Sequence, residues 1–138
     1  MAELQSRRLD KFHYKDYVAK AVQLLNAAER AYESLEWDAC AITAVHSAVS
    51  ASDALCTLKL GQRSAGQNHQ NAVRLFKTID AQDKAIVENA GRLARLLAEK
   101  NASAYEEKPV QRKEAEYLLT EAKKFLSFVE SRLPERPA

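Results

Sequence analysis

Between residues 14 and 35, the apolar positions Tyr17, Val18, Ala21, Leu24, Leu25, Ala28, Ala31, Tyr32 and Leu35 recur every three or four residues, the period of a helix that buries one face. That spacing predicts a first helix of about six turns. A second, Ala-rich helix is predicted over 37–60, carrying Ile42, Val45, Val49 and Leu55 and ending at Gly61, a residue suited to a left-handed helix terminus. The polar stretch 62–68 reads as a loop. A short third helix covers 69–79. Asp80 or Asp83 caps a fourth that carries Ile86, Ala90, Leu93 and Leu97 towards Lys100, slightly weakened by Gly91. Pro109 fits a first helical position, and Ala115, Leu118, Leu119, Ala122, Phe125, Leu126, Val129 and Leu133 define a fifth helix that stops before Pro134.

No segment alternates with period two, so no sheet is expected, and no repeat or low-complexity tract is present. The pattern predicts an all-α fold: an up-and-down bundle of four long helices with one additional short helix. A single domain over 1–138 is expected, with flexible ends at 1–12 and 134–138.

Composition sharpens this in two places. With 138 residues, 46% hydrophobic, and only three Gly and three Pro, the chain buries a core without needing a metal or disulfide. Cys40 and Cys56 stand 16 positions apart in one predicted helix, about 24 Å along its axis, too far to bridge. The net charge of +2 removes the bulk electrostatic argument for a dedicated DNA-binding protein. No basic-then-apolar leader and no run of about 18 apolar residues is read, so the expectation is a cytoplasmic chain outside the membrane.

Candidate chemistry concentrates around the second helix. His46, Ser50, Asp53 and Thr57 fall within about 60° of one another on a helical wheel, a polar stripe on an otherwise apolar helix. Such a stripe meets polar partners on a neighbouring helix or water, or else it lines a pocket or dimer seam. Between Asp53 and Asp80 there is no acidic residue, while Lys59, Arg63, His69, Arg74 and Lys77 lie in that interval. The bland meaning is a solvated basic face; the sharper one is a phosphate contact, more persuasive if a dimer doubles it. His13, His46 and His69 are isolated and there is no Cys-x-x-Cys, so no metal site and no cofactor are expected. Gly61, Gly66 and Gly91 build neither phosphate-binding glycine fingerprint.

The order of these features resembles the HEPN family of small all-α domains. The first helix, the long second helix in EWDACAITAVHSAVSASDALCTLKLG, the short helix in QRSAGQNHQNAVRLF and the closing LLAEKNASAYEEKPVQRKEAEYLLTEAKKFLSFVESRL carry the likeness. The resemblance implies a homodimer with a groove between subunits and, in active members, a metal-independent ribonuclease whose Arg, four to six residues and His stand near the start of the last long helix. At the corresponding place this chain reads Lys100-Asn101-Ala102-Ser103-Ala104-Tyr105, with Lys for Arg and Tyr for His. A tyrosine, with an ordinary pKa of about 10 against about 6.5 for histidine, is a poor general base near neutrality, whereas Lys still attracts phosphate. The family's toxins place a tyrosine two positions after the motif His; here that position is Glu107. A literal Arg-x5-His occurs at Arg63 and His69, outside the motif's place.

The expected function is therefore a non-catalytic or weakly active HEPN-like homodimer. It would bind RNA, a nucleotide phosphate or a partner protein, such as a nucleotidyltransferase, through the inter-subunit groove. Lys100 and Asn101 would contact phosphate or order the groove, and Tyr105 would stack or hydrogen-bond. Arg63 and His69 would form a second basic edge, and Asp53, backed by His46, would orient groups from the second helix. The alternatives are an endoribonuclease using His69 or His46 as base, and a purely structural bundle whose Phe125 and Phe128 seal a subunit interface.

Overall fold

The computed structural model describes residues 6–8, 10–64, 69–105 and 108–134, and of 6–8, 69 and 99–105 it describes the course of the main chain. In chain order the elements are β1 (Ser6–Arg8), a 3-10 turn (Lys11–His13), α1 (Tyr14–Glu33), α2 (Trp37–Leu60), β2 (Gln62–Ser64), α3 (His69–Lys77), α4 (Lys84–Tyr105) and α5 (Arg112–Ser131). This is the all-α bundle the periodicity predicts, four long helices and one short one.

Local chemistry sets the helix boundaries. Leu35 adopts a left-handed φ of 61°. Its N–H donates to the Tyr32 carbonyl at 3.1 Å and the Glu36 N–H to the Ala31 carbonyl at 2.8 Å, the two bonds of a Schellman terminus. Leu35 is thus an exposed turn residue rather than the last apolar position of α1. Gly61, with φ of 66°, closes α2 as expected. Of the two predicted caps for α4, Asp83 is the one used: its Oδ1 accepts from the backbone N–H groups of Ala85 (2.9 Å) and Ile86 (3.4 Å). Helix α5 starts at Arg112 rather than at Pro109, because the chain before it is held against α2 by a bond from the Val110 N–H to Asp38 Oδ1 at 2.9 Å.

Two antiparallel helix pairs build the bundle. Along α1 and α2, Tyr32 meets Trp37 edge to face at 5.2 Å, and Ser47 donates to the Ala21 carbonyl at 2.7 Å. Along α4 and α5, Asp83 pairs with Arg132 and Arg92 with Glu121. Helices α2 and α5 start from the same end, where Asp38 meets Val110 and Cys40 faces the Ala115 carbonyl, so the four long helices alternate in direction. The short α3 packs between α4 and α2.

Helix α2 is the core. Its small residues Ala41, Ala44, Ser47, Ala48, Ala51 and Ala54 are buried, so α1 and α5 approach closely. By length and composition α2 is apolar enough to cross a membrane, contrary to the reading that no such run exists. However, 67% of that apolar window is buried within the protein, where burial by neighbouring helices explains its composition. Phe76 of α3 and Phe125 of α5 meet at 5.3 Å and are fully buried. Phe125 therefore belongs to the chain's own core, not to a subunit seam.

The N-terminal segment also departs from expectation. Residues 6–8 pair antiparallel with 62–64, setting Arg7 opposite Arg63, and Asp10 accepts from the Phe12 N–H at 2.9 Å to cap the 3-10 turn. The predicted loop thus begins with a strand, and the predicted flexible end contributes its partner. Residues 1–5 and 135–138 lie outside the described residues.

Candidate functional site

At the end of the bundle where α1 begins and α2 stops, Arg63 of β2 and Lys20 of α1 act on Asp53 of α2, Arg63 lies near Tyr17 of α1, and Thr57 stands one turn along α2 from Asp53. The helical repeat places Asp53 and Thr57 one turn apart on one face of α2. The antiparallel run of α1 brings its first turns beside them, and the left-handed Gly61 turns the chain so that β2 returns along α2. The Arg63 guanidinium lies 6.0 Å from the Tyr17 ring centre, within cation–π range.

The electrostatics of this cluster are unbalanced. Asp53 is largely buried, and desolvation pushes its carboxyl up to about 7, against the opposing pull of Arg63 and Lys20. Those two cations act through space, and neither closes an ion pair with it among the described residues. Thr57 Oγ1 and Arg63 Nε are buried without a hydrogen-bond partner. Buried donors are ordinarily satisfied, so two unsatisfied ones beside a carboxyl with an ordinary pKa of about 4 mark this as the least settled polar region described. One turn along, burial and the Asp53 charge push the Cys56 thiol up to about 12. Burial also raises Cys40. Neither sulfur is poised as a nucleophile.

Around the cluster lies the acid-free stretch. Lys59 in the last turn of α2 and Arg74 and Lys77 on α3 are exposed, as is Lys20. Arg63 is half-buried.

The sequence-predicted residues divide between two ends of the protein. Asp53 and Arg63 lie near one another. The stripe itself is only partly buried: Ser50 and Thr57 are covered, Asp53 is partly so, and His46 is exposed. His46 stands seven residues, about 10 Å of axial rise, before Asp53, so it does not back that carboxyl; Arg63 and Lys20 are the groups that act on it. Lys100, Asn101 and Tyr105 lie in the last turns of α4, not at the start of the last long helix, since α5 begins only at Arg112. The main chain of α4 runs there towards the end where α2 and α5 begin. The rise of α2 puts about 22 Å between Asp38, at that end, and Asp53. One protomer therefore does not gather both groups into one site. The side chains of Lys100, Asn101, Tyr105 and His69 lie outside the described residues.

Tyr17 and Lys20 were not singled out as site residues from the pattern, where Tyr17 counts only as an apolar-face position. The signal for both is the pairing of sequential helices: an antiparallel α1 puts its residues 17–20 beside the C-terminal half of α2.

The opposite end holds a different constellation, in which the Arg112 guanidinium lies 5.9 Å from the Tyr32 ring and 5.7 Å from that of Trp37. Among the described residues no group of three His, Cys, Asp or Glu is placed to hold a metal ion. No protein-family model matches the chain, and comparison with curated proteins finds no match.

Proposed function

We propose that the chain is a non-catalytic HEPN-like domain that binds the phosphates of RNA through the basic end of its bundle, as a homodimer. The observation that carries this reading is that Arg63 and Lys20 both act on Asp53 near the end of α2, within reach of a stretch of chain with no acidic residue from 54 to 79 on which Lys59, Arg74 and Lys77 are exposed. The helix order and the short α3 before two closing helices support the family resemblance. A few cations make a small footprint, and two copies would double it.

A catalytic role has less support. The general base is missing from the family's position, where Tyr105 stands, and His46 stands seven residues before Asp53 on α2. The remaining readings, a ribonuclease or a purely structural bundle, are outcomes of the same experiment.

Binding of a labelled fifteen-nucleotide oligouridylate, measured against ionic strength with light scattering on the same sample, tests the proposal. Four phosphate contacts would give a slope of about −2.8 in log K against log salt. The triple variant Lys59→Ala, Arg74→Ala, Lys77→Ala flattens that slope, and the RNA stays intact in a chelator. Cleavage in chelator that is lost on replacing His69 would establish the enzyme instead. A dimer with no salt-dependent RNA binding would leave the interaction bundle.

A further inference from the structure

We propose that Asp53, Thr57, Arg63 and Lys20 form a discrete subsite for a single phosphate group of the bound RNA, and that Asp53 takes up a proton from water when the phosphate enters. The inference rests on the reading of this end as phosphate-binding and gives that reading a centre.

Two buried donors point to an anion. Arg63 Nε and Thr57 Oγ1 are both buried without a hydrogen-bond partner, and each can donate to a phosphate oxygen. The Tyr17 ring lies 6.0 Å from the Arg63 guanidinium, within cation–π range.

The contrast with Glu121 is instructive. That carboxylate, also nearly buried, has Arg92 at 3.4 Å, Arg95 at 3.9 Å and Lys124 at 3.4 Å around it, so its charge is answered several times over. Asp53 has Lys20 from α1 and Arg63 from β2 acting on it, with the buried Cys56 on its own helix, and it is paired with neither cation. The 3-10 turn packed against α2 brings His13, but that ring is tied to Asp16 at 3.2 Å on the exposed side.

An ionised Asp53 competes with phosphate for Arg63 and Lys20. A protonated Asp53 no longer attracts either cation and offers an O–H of its own. Burial already pushes the carboxyl up to about 7, which favours its protonated form near neutral pH. Phosphate binding must raise that value further, since the two events favour each other reciprocally.

The test measures affinity for a labelled ten-nucleotide oligouridylate from pH 5.5 to 8.5 at constant ionic strength, for the native chain and Asp53→Asn, alongside the carbon-13 titration of the Asp53 carboxyl without RNA. Phosphodiesters do not titrate in this range, so any change belongs to the protein. The native chain should bind about tenfold more tightly at pH 6 than at pH 8. Asp53→Asn should bind with an affinity independent of pH, and Thr57→Val and Arg63→Ala should each weaken binding at pH 6. An unchanged pH profile in Asp53→Asn, or a carboxyl that titrates in the ordinary range, overturns the subsite while leaving the basic end intact. Absence of RNA binding at every pH overturns the basic end and the subsite together.

Discussion

Arg132 Nη1 donates to Asp83 Oδ2 at 2.7 Å, tying the end of α5 to the residue that caps the start of α4. The same carboxylate does both jobs: Oδ1 takes the N–H groups of Ala85 and Ile86 while Oδ2 takes the guanidinium. The Arg132 hydrogen bond first, and the two backbone bonds after it, hold the Asp83 carboxyl below its ordinary value. A depressed carboxyl contributes stability that is present above its unfolded pKa of about 4 and lost as pH falls through the lower folded value. Asp83→Ala should lower the melting temperature by about 5 °C at pH 7, and the difference from the native chain should shrink below pH 4. Thermal unfolding followed by circular dichroism at the two pH values checks both parts.

The Schellman terminus of α1 places a leucine where glycine is favoured. With Leu35 at φ of 61° and 64% exposed, the backbone carries left-handed strain of about 1–2 kcal/mol with little packing in return. Leu35→Gly should stabilise the protein by about 0.5–1 kcal/mol once the greater freedom of glycine in the unfolded chain is allowed for. Leu35→Ala keeps the strain and should give no such gain. Urea midpoints of the two variants separate relief of strain from loss of an exposed apolar side chain.

The contrast between Leu35 and Gly61 also shows what the sequence could disclose. Apolar recurrence is a property of each helix by itself, so the four long helices and the short one were legible, as was Gly61, whose residue type matches its conformation. Leu35 was not, because its backbone is dictated by the need to reverse α1 into α2 within three residues. The β1–β2 ladder is three residues long on each strand and leaves no alternation to detect. Of the candidate site, Asp53 and Arg63 were readable from the polar stripe and the acid-free run. His46 shares the angular sector of that stripe, but which part of a sector is covered depends on the neighbouring helices. Here α2 leaves His46 and Ile42 on its open side.

Phe125 offers a direct test of core against interface. It is fully buried within one chain and meets Phe76 at a 44° tilt, so truncation leaves a cavity between α3 and α5. Phe125→Ala should cost about 3–5 kcal/mol of unfolding free energy, with a stability loss that does not depend on protein concentration. Had the ring sealed a subunit interface, the loss would grow on dilution. Denaturant unfolding at two concentrations a hundredfold apart distinguishes the two.

Asp53 makes its own prediction for stability, separate from any ligand. Its folded carboxyl is raised to about 7 by burial above an unfolded value of about 4, so the native state holds the proton more tightly than the unfolded chain. The sign is therefore the reverse of Asp83: stability is greatest below the unfolded pKa, falls as pH rises from about 4 to 7, and levels off above. A full shift of three units corresponds to about 4 kcal/mol, and the partial exposure of the group brings the expected penalty at pH 8 to about 2 kcal/mol. Asp53→Asn, neutral and of the same shape, should remove that penalty. Urea unfolding from pH 4.5 to 8.5 should show curves that meet at the acid end and separate in favour of the variant above pH 6. Curves that stay parallel throughout would mean that Arg63 and Lys20 already neutralise the carboxylate in the folded protein.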